Sequence, residues 1–217
     1  AEVDAQAGFR TPVAEVNGKK YVTLQSAINA GGTVTLLADV VLAESVNVAG
    51  TVVLDLNGHE IIGTDNTTGS FGLINIQSGA DLTINDKVGT GKITLTATNN
   101  RGWGGYSSVI SNQRGKFTLN GGKIEHLGGT DMAYGIDNLT NGEGTYAETV
   151  INGGKVISTY RAIRQFLNGV EAQNILTVNG GTIKGANKSI WMQDPSANAN
   201  TGTLTVGEDA KLIGDVY

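Results

Sequence analysis

Few residues in this chain have the types and spacing to do chemistry. None is Cys and two are His, His59 and His126. Disulfide staples and thiolate metal sites are thereby excluded. The histidines fall in different copies of a repeat, without a matching partner. One juxtaposition stands out when "GLINIQ", "SVISNQ", "YGIDNL", "RAIRQF" and "SIWMQD" are aligned: an outward column of Asn75, Ser111, Asp137, Arg164 and Trp191. A carboxylate one rung from a guanidinium can hold a proton or grip a polar ligand, which makes Asp137 and Arg164 weak catalytic candidates. Read as structure, they are an exposed ion pair of about 0–1 kcal/mol with Trp191 stacked on the guanidinium, the preferred reading. Arg101, Trp103 and Tyr106 sit in "NNRGWGGY", where aromatic rings beside a cation suit sugar stacking; folding of Trp103 and Tyr106 back over the coil's side is the preferred reading. Ligand-binding candidates are therefore Arg101, Trp103, Tyr106, Asp137, Arg164 and Trp191. No acidic cluster has metal-ligand spacing, so neither a metal nor a cofactor is expected.

The elements that must position these residues come from repeats. "TLNGGKIEHLGG" recurs as "VINGGKVIS" and "TVNGGTIKG". Aligning on the Asn gives Asn57, Asn85, Asn120, Asn152 and Asn179, with Gly207 in a sixth copy and spacings of 27 to 35 residues. The second series aligns Ile74, Ile110, Ile136, Ile163 and Ile190. Two strand signals recurring in fixed order mark a solenoid coil. Within each copy the period is two, as a strand with one buried face requires. Leu54 aligns with Leu82, Leu56 with Ile84, and Asn57 with Asn85 in a structural Asn ladder. Inside the second series, Asn112, Asn138 and Gln165 suggest an internal amide ladder.

Expectation is thus an all-β chain, a right-handed parallel β-helix of about six rungs, with residues 1–32 as N-terminal extension and cap and 33–217 as one continuous coil. The cap reads as a hairpin turning at Asn17-Gly18, then a short helix started by Thr23 and ended by Gly31. The chain stops in mid-rung at "KLIGDVY", so a flanking domain or a partner is expected there. It begins at Ala1 without Met and is expected to be a processed or excised piece. Polar loops at 63–70, 96–108, 139–148, 167–174 and 194–202 should gather along one side, the usual binding side of a solenoid. Net charge −5 argues against nucleic acid. No apolar run is long enough to span a membrane, so no membrane insertion is expected.

The pattern resembles the right-handed parallel β-helix of the pectin-lyase-like superfamily. "VAEVNGKKYVTLQSAINAGGTVTLLADVVLAESVNVAGTVVLDLNGHEI" and the "NGGKI" and "NGGTI" rungs are similar to β-helix modules of surface proteins of Gram-positive bacteria, many of them intestinal. The resemblance covers nearly the whole chain from Val13. It implies a fold but little about activity, because the superfamily hosts enzymes, adhesins and phage spikes.

Three functions follow as expectations. The first is a non-catalytic extracellular module, a cell-surface adhesin or stalk presenting loops to glycans or to host or microbial surface proteins. The second is a phage virion spike or head-fibre protein at the virion surface, a homotrimer with Val150, Ile157, Ile213, Leu139 and Phe166 partly covered by neighbours. The third is a polysaccharide lyase or hydrolase acting through Asp137 and Arg164. Against it, the carboxylate cluster of Ca²⁺-dependent lyases, the Gly-His-Gly and Asn-Thr-Asp elements of polygalacturonases and the paired Asp motifs of pectin methylesterases are missing. An outward Thr row (Thr83, Thr118, Thr177, Thr205) is broken by Val150 and reads as ordinary strand composition rather than an ice-binding face.

Overall fold

The computed structural model describes residues 11–100, 105–129, 131–142, 145–194 and 200–217. They form a parallel β-solenoid of about six turns. Each coil is three short strands, and each strand pairs in parallel with its counterpart one coil away. The first coil is β3 (Gly32–Leu36), β4 (Val40–Leu42) and β5 (Val46–Val48). The second is β6 (Thr51–Asp55), β7 (Glu60–Asp65) and β8 (Phe71–Ile76), the third β9 (Asp81–Asn85), β10 (Lys92–Ala97) and β11 (Ser107–Gln113). The fourth is β12 (Lys116–Leu119), β13 (Lys123–Leu127) and β14 (Ala133–Asn141), the fifth β15 (Tyr146–Ile151), β16 (Lys155–Ser158) and β17 (Arg161–Asn168). β18 (Gln173–Gln193) continues round all three sides, and β19 (Thr201–Val216) lies on it.

The core is built as columns. Val34, Leu54, Ile84, Leu119, Ile151 and Val178 form one in the first sheet. Val40, Ile61, Ile93, Ile124, Val156 and Ile183 form one in the second. Val46, Ile74, Ile110, Ile136, Ile163 and Ile190 form one in the third. All are buried. A single rung exposes each of these side chains along the solenoid axis; only the next rung, about 4.8 Å away, covers it.

One alignment expected from sequence is corrected. Leu54 pairs with Ile84 and Val52 with Leu82, a shift of two residues, and Asp55 stands beside Asn85. The "NGHEI" spacing mimics "NGGKI", but register follows the buried pair Val52 and Leu54. Asn57 is left in a longer turn, at φ 49°, where its Nδ2 donates to the Leu36 carbonyl at 3.0 Å. Asn57 therefore stands outside the ladder. Asn120 Nδ2 donates to Asn85 Oδ1, Asn152 to Asn120 and Asn179 to Asn152, each at 2.8 Å.

Next to that ladder the turns demand glycine. Gly154 has φ 76°, and a Cβ there would lie 2.5 Å from the Gly122 carbonyl oxygen; at Gly181, φ 86°, it would lie 2.7 Å from that of Gly154. Rung stacking and the left-handed backbone exclude a side chain together.

The cap closes the first coil. β1 (Ala14–Val16) and β2 (Lys19–Tyr21) are an antiparallel hairpin with Asn17 and Gly18 at positive φ. β1 also pairs antiparallel with β3 and so covers the edge of the first sheet. In α1 (Leu24–Ala30), Thr23 Oγ1 accepts from the Ser26 amide at 3.2 Å, and Leu24, Ala27 and Ile28 are buried. Gln25 reaches the edge of the third sheet, accepting from Asn47 N at 2.8 Å and donating to Asn47 O at 2.9 Å. Helix and hairpin thus satisfy strand edges that would otherwise template further pairing.

Gly154→Ala is expected to destabilise the chain by about 1–2 kcal/mol or more in urea unfolding. Gly50→Ala, at a glycine with open space around it, is expected to stay within about 0.5 kcal/mol of wild type. Equal costs at both positions would show that the stacked turn imposes no such constraint.

Candidate functional site

The outer face of the third sheet carries the chemistry. Connections β7–β8, β10–β11 and β13–β14 lie at one of its borders; β14–β15, β17–β18 and β18–β19 lie at the other. Across β14 and β17, Asp137 pairs in register with Arg164. Arg164 Nε donates to Asp137 Oδ1 at 2.7 Å and Nη2 to Oδ2 at 2.6 Å.

This pair corrects the exposed ion pair expected from sequence. Asp137 is 0% and Arg164 3% exposed, although both face outward from the sheet. Aromatic rings cover them: the guanidinium carbon lies 4.4 Å from the Tyr134 ring centroid, 4.6 Å from Phe166 and 5.6 Å from Tyr106. Trp191 is the rung neighbour of Arg164. Its ring, however, faces Arg161 at 3.7 Å, and Tyr160 faces the same cation at 4.4 Å. Met132, Tyr134 and Trp191, with Tyr106 packed on them, make a small apolar cluster separate from the solenoid core. A second, exterior core thus seals a charge pair.

Electrostatics follow from that burial. Burial pushes the Asp137 carboxyl above its ordinary value, and the Arg164 guanidinium opposes the push. Burial also weighs against the charge on Arg164, but the Asp137 carboxylate outweighs it and holds the guanidinium above its ordinary value. Arg does not give up its proton in proteins, and both carboxylate oxygens accept N–H bonds, so the two groups stand as an ion pair. Burial raises the Tyr134 hydroxyl to about 12, against the nearby Arg164 cation. Tyr106 is raised for the same first reason.

Beside the pair opens a cleft of about 560 Å³. Arg164, Tyr106 and Phe166 line it, with Met132 and Leu139 adding apolar surface. Gln113, Arg114, Asn141 and Gln193 add polar groups, and loop residues Ser70 and Gly105 complete it. Both borders of the sheet contribute. Of the residues singled out from sequence, Tyr106 and Arg164 line the cleft, Asp137 lies buried against Arg164, and Trp191 belongs to the covering cluster. Arg101 and Trp103 lie outside the described residues.

Sequence reasoning missed Tyr134 because its rule of alternation fails there. Leu73 and Ile74 are both buried, as are Val109 with Ile110 and Ala162 with Ile163. Consecutive inward residues mark a bend, which puts Tyr134 on the same outer face as Asp137 three residues later. Phe166 follows the period of two, and its outward apolar position was the signal.

Two buried polar groupings lie elsewhere. Ser107 Oγ donates to Asp65 Oδ2 at 2.7 Å and lies 3.0 Å from His126 Nε2; all three are buried. The hydroxyl stands between carboxylate and imidazole, whereas acyl-transfer relays place the imidazole between the other two. Inside the coil, Asn112 Nδ2 donates to Asn138 Oδ1 at 3.2 Å and Asn138 Nδ2 to Gln165 Oε1 at 2.7 Å. Thr149 Oγ1 also donates to Asn138 Oδ1, at 2.7 Å. Asn138, which begins an Asn-Leu-Thr sequon, is fully buried. Among the described residues no group of three or more His, Asp or Glu is placed to hold a metal ion.

No family model matches the chain, and neither a curated protein nor a solved structure matches it.

Two measurements test this account. Arg164→Ala leaves a buried carboxylate unpaired and is expected to cost about 3–5 kcal/mol; Asp137→Leu with Arg164→Met should recover most of it. A double variant as unstable as Arg164→Ala would refute the buried-pair account. In an absorbance titration Tyr134 should ionise last among the tyrosines, near pH 12. The folded value is raised, so its stabilising contribution is whole below about pH 10 and is lost as pH climbs through the folded value. Tyr134→Phe should flatten that alkaline loss.

Proposed function

We propose that the chain is a non-catalytic extracellular β-helix module of a cell-surface protein that binds saccharides in the cleft of its third sheet. The observation that carries this reading is the locked guanidinium of Arg164. Asp137 takes Nε and Nη2, Tyr134 and Phe166 face the guanidinium, and among the described residues Nη1 has one long contact, to Gln193 Oε1 at 3.4 Å. A cation fixed before a ligand arrives loses little rotamer freedom on binding. Amide side chains from Gln113, Asn141 and Gln193 offer paired donors and acceptors of the kind sugar hydroxyls need. The rings of Tyr106 and Phe166 offer apolar contact for the face of a pyranose.

The geometry of Asp137 supports a binding role over a lyase or hydrolase role. Both its oxygens are engaged by Arg164, and it is sealed from solvent. Membership of the pectin-lyase-like superfamily, and kinship with β-helix modules of surface proteins of Gram-positive bacteria, rest on the "NGGKI" and "NGGTI" rungs and on the hairpin-and-helix cap. An address at the cell surface follows from that kinship.

A glycan array probed with the wild-type chain and with Phe166→Ala tests the proposal. Binding to a defined set of glycans is expected, with at least about tenfold loss in the variant, the effect of removing one good stacking contact. A blank array would leave only a stalk role. Unsaturated or reducing-end products released from a polysaccharide panel would overturn the non-catalytic reading. A concentration-independent trimer by light scattering would move the assignment to a virion spike or fibre.

A further inference from the structure

Charge distribution in the cleft narrows the ligand further, an inference that rests on the saccharide-binding reading. Among its described lining residues are two guanidiniums, Arg114 and Arg164, and no carboxylate. The nearby Asp137 spends its charge on Arg164. Arg114 makes no ion pair among the described residues and brings a second guanidinium to the cleft. Its backbone is pinned: φ is 67°, uncommon for a residue with a side chain, and its carbonyl accepts from the Gly79 amide at 3.0 Å. The turn between β11 and β12 thus holds the root of this side chain at the border of the cleft.

Set against a chain of net charge −5, a positive cleft is a local feature. The net charge of the chain disfavours an acidic ligand, whereas the guanidiniums of the cleft attract one locally. A neutral sugar would meet the amides and rings but leave Arg114 to water. A sugar carrying an acid group gains a charge-assisted hydrogen bond there, roughly twice as strong as a neutral one.

We infer that the cleft selects saccharides that carry an acidic substituent, with Arg114 reading the acid and Arg164, Tyr106 and Phe166 seating the ring. A carboxylate and a sulfate ester share this chemistry. An acidic peptide lacks the pyranose face that the rings would cover, so the saccharide is the committed occupant.

Saturation-transfer NMR titrations of matched pairs test it: 3′-sialyllactose against lactose for carboxylate, and galactose 6-sulfate against galactose for sulfate. The acidic member of at least one pair should bind about tenfold or more tighter, the worth of one hydrogen bond to a charged group, and the pair that responds identifies the acid. Arg114→Gln should bring that ratio close to one, while Arg114→Lys should retain part of it. Unchanged thermal midpoints would show that the variants are folded. Equal binding within both pairs would overturn the inference and leave the saccharide reading standing. So would an acid preference that survives Arg114→Gln. Displacement of the acidic sugar by equimolar hexa-aspartate would overturn the saccharide commitment in favour of a general anionic patch. If no member of either pair binds, this inference and the saccharide reading fall together.

Discussion

Cross-rung register is the constraint on which everything else depends. A coil of three strands has almost no interior of its own, and its inward side chains become core only when the same positions of the next coil lie over them. Burial of Leu54 between Val34 and Ile84, or of Ile163 between Ile136 and Ile190, is a property of neighbouring coils. One slipped residue would turn a whole column outward. The Asn85–Asn120–Asn152–Asn179 ladder and the stacked glycines beside it obey the same register from the turn. Charge obeys it too. The outward column Glu60, Lys92, Lys123, Lys155 would stack lysines, and the ion pairs Lys92–Glu60 and Lys123–Glu125, both at 2.8 Å, relieve that repulsion locally.

The outer face of the third sheet uses the same register for another purpose. Asp137 and Arg164 meet because β14 and β17 are adjacent rungs, but they are buried because Tyr134 and Phe166 on those strands, and residues beyond the strand ends, cover them. Tyr106 and Met132 come from connections at one border. Desolvating two charges costs several kcal/mol per ion before any attraction is counted. Such a pair is therefore a poor device for stability alone, and an apolar pair of similar volume would serve as well or better. What the pair supplies is orientation. The carboxylate sets the plane of the guanidinium, and the rings confine it.

Legibility in the sequence divides along this line. Columns of Ile, Leu and Val, the NGG turns, the hairpin and the helix cap were all readable, because each depends on local pattern or on a repeated one. The Asp137–Arg164 register was readable too, from the 27-residue step between "YGIDNL" and "RAIRQF". Burial of the pair was not. An outward position on a strand implies solvent only when nothing crosses that face, and of the covering residues Phe166 obeys the period of two while Tyr106, Met132 and Tyr134 do not. Asn57 misled for a related reason: its local spacing copied the later turns, while the buried pair Val52 and Leu54 decided the register. Asp65, Ser107 and His126 come from three different coils and meet at a corner, with no shared motif to announce them.

Irregularity concentrated on one face argues for selection of that face. Apart from the longer turns at Asn57 and between β9 and β10, the first and second sheets present short strands and tight turns, which the stacking constraint explains. The third sheet carries the consecutive inward residues, the exterior aromatic cluster, the buried ion pair and the cleft of about 560 Å³. Stability does not call for any of these, since the solenoid core is continuous without them. A desolvated arginine held flat at a cleft is costly to build and useful where a polar ligand must be met by a donor already in place. The regular coils supply the rigidity, and the loops at either border of the third sheet supply the shape; under the proposed binding role, specificity is free to change in the loops without disturbing the columns beneath.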